Sequence, residues 1–163
     1  MCLFYLNILA LLPLKIITNI SILQLKVPYY YKNSIKMNEE LNYKYGLGIS
    51  LMNAGIIYKE KSNYVKALKY YTKSLKIRKE LNSKIGLGYV LVNMGNIYRN
   101  KGETNKALQH CSDALKIRKE INDRRGEGIC LISIGIIHFE KENYNKAIKY
   151  LKLSIKIQKE VGI

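Results

Sequence analysis

Three cysteines and two histidines are the side chains of this sequence best suited to hold a metal ion or to act as nucleophile and base. Cys2, Cys111 and Cys130 are odd in number and widely spaced, so they predict neither a disulfide framework nor a zinc site. His110 precedes Cys111, but neighbouring residues of a helix point about 100° apart, which argues against a Cys/His nucleophile pair. We therefore predict that the chain is not an enzyme and uses no metal ion or cofactor. The cysteine usage is typical of a reducing compartment, which favours a cytoplasmic location.

An internal repeat of 40 residues determines which elements position these side chains. Residues 41–80, 81–120 and 121–160 align with one another without an insertion or a deletion. A unit of this length buries too little apolar surface to fold alone, so each unit must stack on its neighbours. The periodicity predicts a solenoid, a class of proteins that usually bind other molecules and seldom catalyse.

Two helical patterns recur in each unit, which predicts a hairpin of two α-helices. The first pattern places three residues on one helix face, at Leu51, Gly55 and Tyr58; Leu91, Gly95 and Tyr98; and Leu131, Gly135 and His138. The second pattern mixes small and large residues, at Ala67, Leu68, Tyr71, Ser74 and Leu75 and at the equivalents 40 and 80 residues further on. A mid-helix glycine costs about 1 kcal/mol relative to alanine, so we expect another backbone to pass close to each one. The facing small residues would be Ala67, Ala107 and Ala147.

The repeat alignment also predicts packing roles for two of the residues that first suggested chemistry. Cys111 takes the place of Tyr71 and Leu151, and a buried cysteine behaves as a small apolar side chain. His138 takes the place of Tyr58. We therefore expect both residues to contribute to packing rather than to a ligand set or a general base.

Together these residues resemble the signature of the tetratricopeptide repeat over residues 41–160. The matching positions are Leu51, Ala54, Gly55, Tyr58, Ala67, Tyr71 and Ser74; Leu91, Met94, Gly95, Tyr98, Ala107, Cys111 and Ala114; and Leu131, Ile134, Gly135, His138, Ala147, Leu151 and Ser154. The usual repeat has about 34 residues. The longer repeat of this chain is similar to the repeats of G-protein-signalling modulators that act as mitotic-spindle scaffolds and to those of many bacterial proteins. The resemblance implies an all-α solenoid of antiparallel helix pairs.

A Gly-x-Gly opening of each first helix also matches these longer repeats. The pairs are Gly46 and Gly48, Gly86 and Gly88, and Gly126 and Gly128. They lack the third glycine and the preceding strand of a dinucleotide-binding fingerprint. We therefore interpret them as tight helix starts.

The resemblance further implies that the first helices line a concave groove, in which a peptide segment or a helix of a partner protein binds. In the family, the side chains that face the partner lie at fixed distances along the sequence from the glycine of the Leu/Gly/Tyr pattern. In this chain those positions are Ile49, Met52, Asn53, Ile56, Lys59, Tyr89, Val92, Asn93, Asn96, Arg99, Ile129, Ile132, Ser133, Ile136 and Phe139. The candidate peptide-binding residues among them are Met52, Asn53, Ile56, Lys59, Tyr89, Asn93, Asn96, Arg99, Ile136 and Phe139. Asn93 and Asn96 suit hydrogen bonds to the backbone of an extended peptide. Arg99 and Lys59 suit a carboxylate.

Departures from the family pattern bear on the kind of partner. Ile49, Tyr89 and Ile129 stand where scaffold relatives often carry a basic residue that binds acidic partners. The resemblance therefore favours a segment anchored by apolar side chains, for which Ile136 and Phe139 are suitable contacts. The alternative is that part of this apolar stripe packs on neighbouring helices, because offsets at a helix edge are uncertain by a residue.

The solenoid is predicted to span residues 28–160. Residues 28–40 match the second helix of an incomplete unit, and Pro28 suits the first turn of that helix. Residues 1–27 form a mostly apolar segment with three open interpretations: a degenerate capping helix, a membrane or export segment, and a non-native start. Lys15 in its middle disfavours a membrane span, and the lack of a clear basic start and cleavage site disfavours a secretory signal.

The formal net charge of +16 raises the possibility of a nucleic-acid partner. However, Lys66, Lys69, Lys73 and Lys76 follow one another at helical spacing opposite the apolar stripe, which is typical of a solvated outer face. We expect no specific nucleic-acid partner, and we expect salt-sensitive, non-specific binding to polyanions.

The sequence thus predicts a non-catalytic adaptor for a protein or peptide partner. Three alternatives stay open. The chain is a fragment of a larger signalling protein in which it serves as a regulatory or sensory module, it self-associates through the open ends of the solenoid, or it binds nucleic acid through its basic surface. The ending Val161-Gly162-Ile163, without a polar capping helix, favours the first of these.

Overall fold

The computed structural model describes residues 29–162, which form seven α-helices without a β-strand in that range. Residues 29–40 are helical, and this described part is α1. The remaining helices are α2 (Lys44–Glu60), α3 (Tyr64–Glu80), α4 (Lys84–Asn100), α5 (Thr104–Glu120), α6 (Arg124–Glu140) and α7 (Tyr144–Glu160). The three interpretations of the apolar N-terminal segment concern residues outside the described range. No helix of residues 29–162 combines the length and the apolarity that a bilayer crossing requires.

The helices pack as consecutive hairpins, which confirms the predicted all-α solenoid. The pairs α2 with α3, α4 with α5, and α6 with α7 each form one hairpin. The hairpins stack through α3 against α4 and through α5 against α6, and α4 also contacts the first helices on either side of it. The described array therefore consists of three stacked helix pairs, preceded by α1.

A three-residue turn with one left-handed residue ends every helix in the described range. Its left-handed residue recurs at intervals of 20, at Asn42, Ser62, Asn82, Gly102, Asn122, Glu142 and Gly162. In the turn after α2, the amide of Ser62 donates to the carbonyl of Lys59 and that of Asn63 to the carbonyl of Tyr58, both at 2.8 Å. This pair of bonds is the Schellman termination of a helix. Asn63 then caps α3, because its side-chain oxygen accepts a hydrogen bond of 3.1 Å from the amide of Lys66.

The mid-helix glycines make room for large side chains of the second helix, and this differs in part from our expectation. A Cβ atom added to Gly55 would lie 2.5 Å from the ring of Tyr71, and one added to Gly95 would lie 2.6 Å from Cys111 Sγ. The nearest backbone atom is further away, because the Ala107 carbonyl oxygen would lie 3.3 Å from the Cβ atom added to Gly95. Each glycine therefore accommodates a side chain first, and Gly95 and Gly135 also face the backbone of the neighbouring alanine.

A repeated polar contact ties the second helix to the Gly-x-Gly pair. The Ser74 hydroxyl donates to the carbonyl of Gly48 at 2.7 Å, and the Ser154 hydroxyl donates to that of Gly128 at 3.0 Å. Both serines are buried, so these bonds satisfy groups that have no access to water. The starts of α2 and α6 are thereby fixed against the middle of the second helix of their hairpins, whereas the middle hairpin has Ala114 at the equivalent position.

Candidate functional site

The histidines and buried cysteines serve packing. The rings of Tyr98 and His110 stack with centroids 5.2 Å apart, and those of His138 and Tyr150 stack at 5.5 Å. Cys111 is fully buried and packs against Gly95 rather than beside its sequence neighbour. Within residues 29–162, no three His, Cys, Asp or Glu side chains form a group able to hold a metal ion.

Burial favours the uncharged forms of these groups near neutral pH. It raises the pKa of the Cys111 thiol to about 11 and that of Cys130 to about 12. It also lowers the pKa of His110 and of His138, because the charged imidazolium form is desolvated. The thiolate is the nucleophilic form of cysteine, so neither buried thiol is activated.

The predicted peptide-binding residues lie on α2, α4 and α6, and every one of them is partly or largely exposed. Tyr89 is 48% exposed and Phe139 is 59% exposed. Met52 and Ile56 pack against the core cluster that includes Tyr71 and is shared by the first two hairpins. For Met52 and Ile56, the alternative of packing against neighbouring helices therefore applies at least in part.

Some of the predicted polar residues already have partners within the chain. The Asn93 side-chain amide donates to the carbonyl of Tyr89 at 3.0 Å. Arg99 lies 3.7 Å from Glu140, and Lys59 lies 3.1 Å from its sequence neighbour Glu60. These ion pairs are exposed on at least one side and contribute little to stability, so an incoming ligand can replace them at small cost.

A crevice of about 840 Å³ lies between the first two full repeats. Its apolar wall is formed by Ile49, Met52, Ile85 and Tyr89, and its polar wall includes Arg78. Of the ten candidate peptide-binding residues, the crevice brings together Met52 and Tyr89. The other eight lie outside it, at Asn53, Ile56, Lys59, Asn93, Asn96, Arg99, Ile136 and Phe139.

Two buried arginines beneath this surface were missed by our sequence analysis. Arg78 is 4% exposed and Arg118 is 2% exposed. A helical signal was available, because Arg78 follows Ser74 by four residues and so continues the buried face of α3. Arginine also recurs one repeat later, at Arg118, in a chain whose other surface cations are mostly lysines.

The Gly-x-Gly pairs provide the space for these arginines, which is a more specific role than a tight helix start. A Cβ atom added to Gly86 would lie 2.5 Å from Arg78 Cδ, and one added to Gly48 would lie 3.1 Å from Arg78 Nε. Arg118 occupies the equivalent space between Gly88 and Gly126, where added atoms would lie 2.6 Å from its side chain. Each arginine thus passes between the first turns of two consecutive first helices.

The two arginines differ in their electrostatic surroundings. Arg118 Nη1 lies 2.5 Å from Asp123 Oδ2, and its guanidinium lies 4.1 Å from the ring centre of Tyr89. The guanidinium of Arg78 lies 5.0 Å from the ring centre of Tyr45. Within residues 29–162, the side chain of Arg78 makes no hydrogen bond or ion pair, and its buried Nε has no partner. The crevice therefore contains a buried positive charge without a counter-ion among the described residues.

A stacked array of helical hairpins with a lined crevice defines a helical-repeat protein of the α-solenoid class. Family models of the tetratricopeptide repeat match residues 50–85 and residues 87–160. The chain belongs to the tetratricopeptide repeat family. Repeats of this family generally mediate interactions between proteins, and proteins of this fold are typically non-enzymatic scaffolds.

Among solved structures, the chain is similar to the crystal structure of BtubC (BKLC) from P. vanneervenii, with a TM-score of 0.77 and 18% sequence identity. The alignment covers 85% of this chain and 58% of BtubC, so this chain spans a little over half the length of that protein. At this identity the similarity shows the fold alone. Comparison with curated proteins finds no significant match.

Proposed function

We propose that the chain is a non-catalytic adaptor that binds a peptide segment or a helix of a partner protein along the face formed by α2, α4 and α6. The observation that carries this proposal is the crevice of about 840 Å³ between the first two full repeats. Its apolar wall suits an apolar side chain of a partner, and the half-exposed ring of Tyr89 offers a rigid anchor.

The polar residues further along the same two helices support an extended ligand. Asn53 on α2 and Asn96 on α4 are both partly exposed, so their side-chain amides are open to a ligand. An extended peptide presents unpaired backbone N–H and C=O groups, which asparagine side chains can bind in both directions. Arg99 and Lys59 add positive charge at the same face.

Selection of peptides on the purified protein tests the proposal. A random peptide library would be selected on the wild-type protein, and the selected peptides would then be measured on a Tyr89→Ala variant, with a Lys73→Ala variant of the exposed outer face as matched control. We expect selected peptides to bind the wild type and the Lys73→Ala variant equally and the Tyr89→Ala variant at least about tenfold more weakly. Equal binding to all three proteins would contradict a groove ligand.

The exposed lysines support a second, less specific activity. Lys66, Lys69, Lys73 and Lys76 are all exposed on α3, opposite its buried face. A cationic surface of this kind binds phosphate backbones without sequence preference, and the affinity falls steeply as salt is raised. Binding to single-stranded DNA that persists unchanged between 50 and about 200 mM salt would contradict this interpretation.

A further inference from the structure

We propose that Arg78 and the first turn of α4 form a binding site for a carboxylate group of the partner, in the crevice between the first two full repeats. This inference rests on the proposed function, and it names the chemical group that the same groove would select. Its basis is a comparison of two turns within the chain, one of which contains the carboxylate that the other lacks.

The turn before α6 shows how this chain binds a carboxylate. Asp123 Oδ2 accepts a bond from Arg118 Nη1 at 2.5 Å, and Asp123 Oδ1 accepts one from the amide of Gly126 at 2.8 Å. One carboxylate therefore neutralises the buried guanidinium of Arg118, whose Nε has no partner, and accepts a bond from an amide in the first helical turn. Such amides have no partner inside the helix, and the positive end of the helix dipole favours an anion there.

The turn before α4 has the same backbone and the same donors, but it has no carboxylate. Ser83 has φ and ψ of −81° and 80°, and the equivalent Asp123 has −79° and 81°. The Ser83 side chain makes no capping hydrogen bond to α4. The amide of Gly86, equivalent to that of Gly126, is thus without a side-chain acceptor, and Arg78 is without an ion-pair partner in the described range.

Burial makes the unpaired guanidinium of Arg78 unfavourable, because a charge removed from water requires a counter-charge. The aromatic face of Tyr45 compensates only in part. Two other charges border the crevice: Lys84, which makes an exposed pair with Glu120 at 3.4 Å, and Asp123, which pairs with the buried Arg118. Arg78 differs from both because it is buried and has no ion-pair partner in the described range, so an external anion gains most by pairing with Arg78.

The chemistry of the neighbouring turn favours a carboxylate over a larger anion. One guanidinium and one backbone amide match the two oxygens of a carboxylate, as they do for Asp123. The surrounding Ile49, Met52 and Ile85 side chains suit an acidic group flanked by apolar residues. The carboxylate can belong to an acidic side chain or to a C-terminus, and the experiment distinguishes these two sources.

Acetate is the simplest probe of the site, and the side-chain Nε–H resonance of Arg78 is its reporter. We expect a saturable shift of this resonance in the wild type and no shift of the Arg118 resonance, which serves as internal control. A Ser83→Asp variant, which supplies the carboxylate in the chain, should abolish the response, whereas the neutral Ser83→Asn variant should retain it. Absence of a saturable shift, an equal response to chloride, or an undiminished response of Ser83→Asp would each overturn the inference.

Three tetrapeptides then separate this inference from the proposed function. The probes are acetyl-Ile-Leu-Glu-Leu-amide, the same peptide with Gln for Glu, and the Gln peptide with a free C-terminal carboxylate. We expect one of the two charged peptides to bind at least about tenfold more tightly than the neutral amide, and the advantage to vanish in Ser83→Asp. The better of the two charged peptides identifies the source of the carboxylate.

The two proposals fail in different ways. Equal binding of all three peptides would refute the carboxylate site while leaving the groove intact. A shift of Arg78 with acetate and no binding of any peptide would support the site and contradict the peptide groove.

Discussion

Asp123 neutralises the buried guanidinium of Arg118 across the turn that joins α5 to α6, with Arg118 Nη1 and Asp123 Oδ2 2.5 Å apart. Arg118 is 2% exposed and Asp123 is 27% exposed, so the pair lies at the edge of the interface between two repeats. Removal of the carboxylate charge would leave the guanidinium buried and unpaired.

The Asp123→Asn substitution tests this ion pair. We expect a loss of about 2 to 3 kcal/mol in the free energy of unfolding, near the low end for a broken buried pair because Asp123 is partly exposed. Asparagine keeps an oxygen for the Gly126 amide, so the effect isolates the charge. Urea titration measures it, with Asp113→Asn on the exposed face of α5 as control. Equal midpoints for the two variants would show that the pair contributes nothing.

The Ser83→Asp substitution does the opposite of Asp123→Asn, because it adds a carboxylate next to a buried arginine. A carboxylate at residue 83 would pair with Arg78 and cap α4, since the backbone there matches that of Asp123. We expect the free energy of unfolding to rise by about 1 kcal/mol or more, from the cap and the relieved charge together. The Ser83→Asn variant separates the two contributions, because it supplies the cap alone. A destabilised Ser83→Asp protein would contradict the equivalence of the two turns.

Substitutions at two of the left-handed turn residues should change the stability of the fold in opposite directions. Glu142 has φ of 59° and Gly102 has φ of 74° at equivalent positions. A side chain in this region costs about 1 kcal/mol, so Glu142→Gly should stabilise the fold and Gly102→Ala should destabilise it by about that amount. Thermal melting followed by circular dichroism compares the two variants. Shifts of the same sign would contradict this account of the turns.

The candidate groove residues Asn96 and Arg99 should affect binding without affecting the fold. Asn96→Ala and Arg99→Ala each remove a polar side chain that is only partly buried, so helicity and melting should stay unchanged. We expect the affinity for selected peptides to fall about tenfold, the value of one well-placed hydrogen bond. Calorimetric titration measures it, with Glu140→Gln as control for the ion pair of Arg99. Loss of the fold instead would make the two residues structural.

The buried thiols predict a loss of stability at alkaline pH. Burial raises the pKa of Cys111 to about 11 and that of Cys130 to about 12, against about 8.5 for an unfolded cysteine. Between these values the native state binds more protons than the unfolded state, so the free energy of unfolding falls as pH rises above about 8.5. Urea midpoints from pH 7 to 10 measure this slope, which should be smaller in Cys111→Ala than in wild type. An unchanged slope would exclude Cys111 as a source.

The fold was predictable because it depends on positions that repeat. Leu51, Gly55 and Tyr58 recur at the same register, and the matching second-helix residues recur with them, so hairpin and stacking follow from spacing alone. The packing role of His138 followed too, since His138 stacks on Tyr150 as Tyr58 stacks on Tyr70. These features can be predicted from the spacing of residues and from which positions of the repeat are buried.

The crevice was only partly predictable, because it depends on residues that the family signature does not contain. Arg78 continues the buried face of α3, but its unpaired state depends on the identity of Ser83 and on the space left by Gly48 and Gly86. Because α3 is rich in lysine, its sequence also suggests that Arg78 belongs to the solvated face. The positions implied by the family resemblance include Ile49, Met52 and Tyr89, which line the crevice, but they gave no indication that a charge lies beneath them.

The difference between the two arginines has a mechanical consequence for the array. Arg118 and Asp123 bind the second and third hairpins together, while the equivalent joint between the first and second hairpins has the arginine without the aspartate. Stability in a solenoid is a sum over such nearest-neighbour joints, so the array should bend and open first between α3 and α4. A guest that supplies the missing charge would stiffen that joint and set the curvature of the whole described stack.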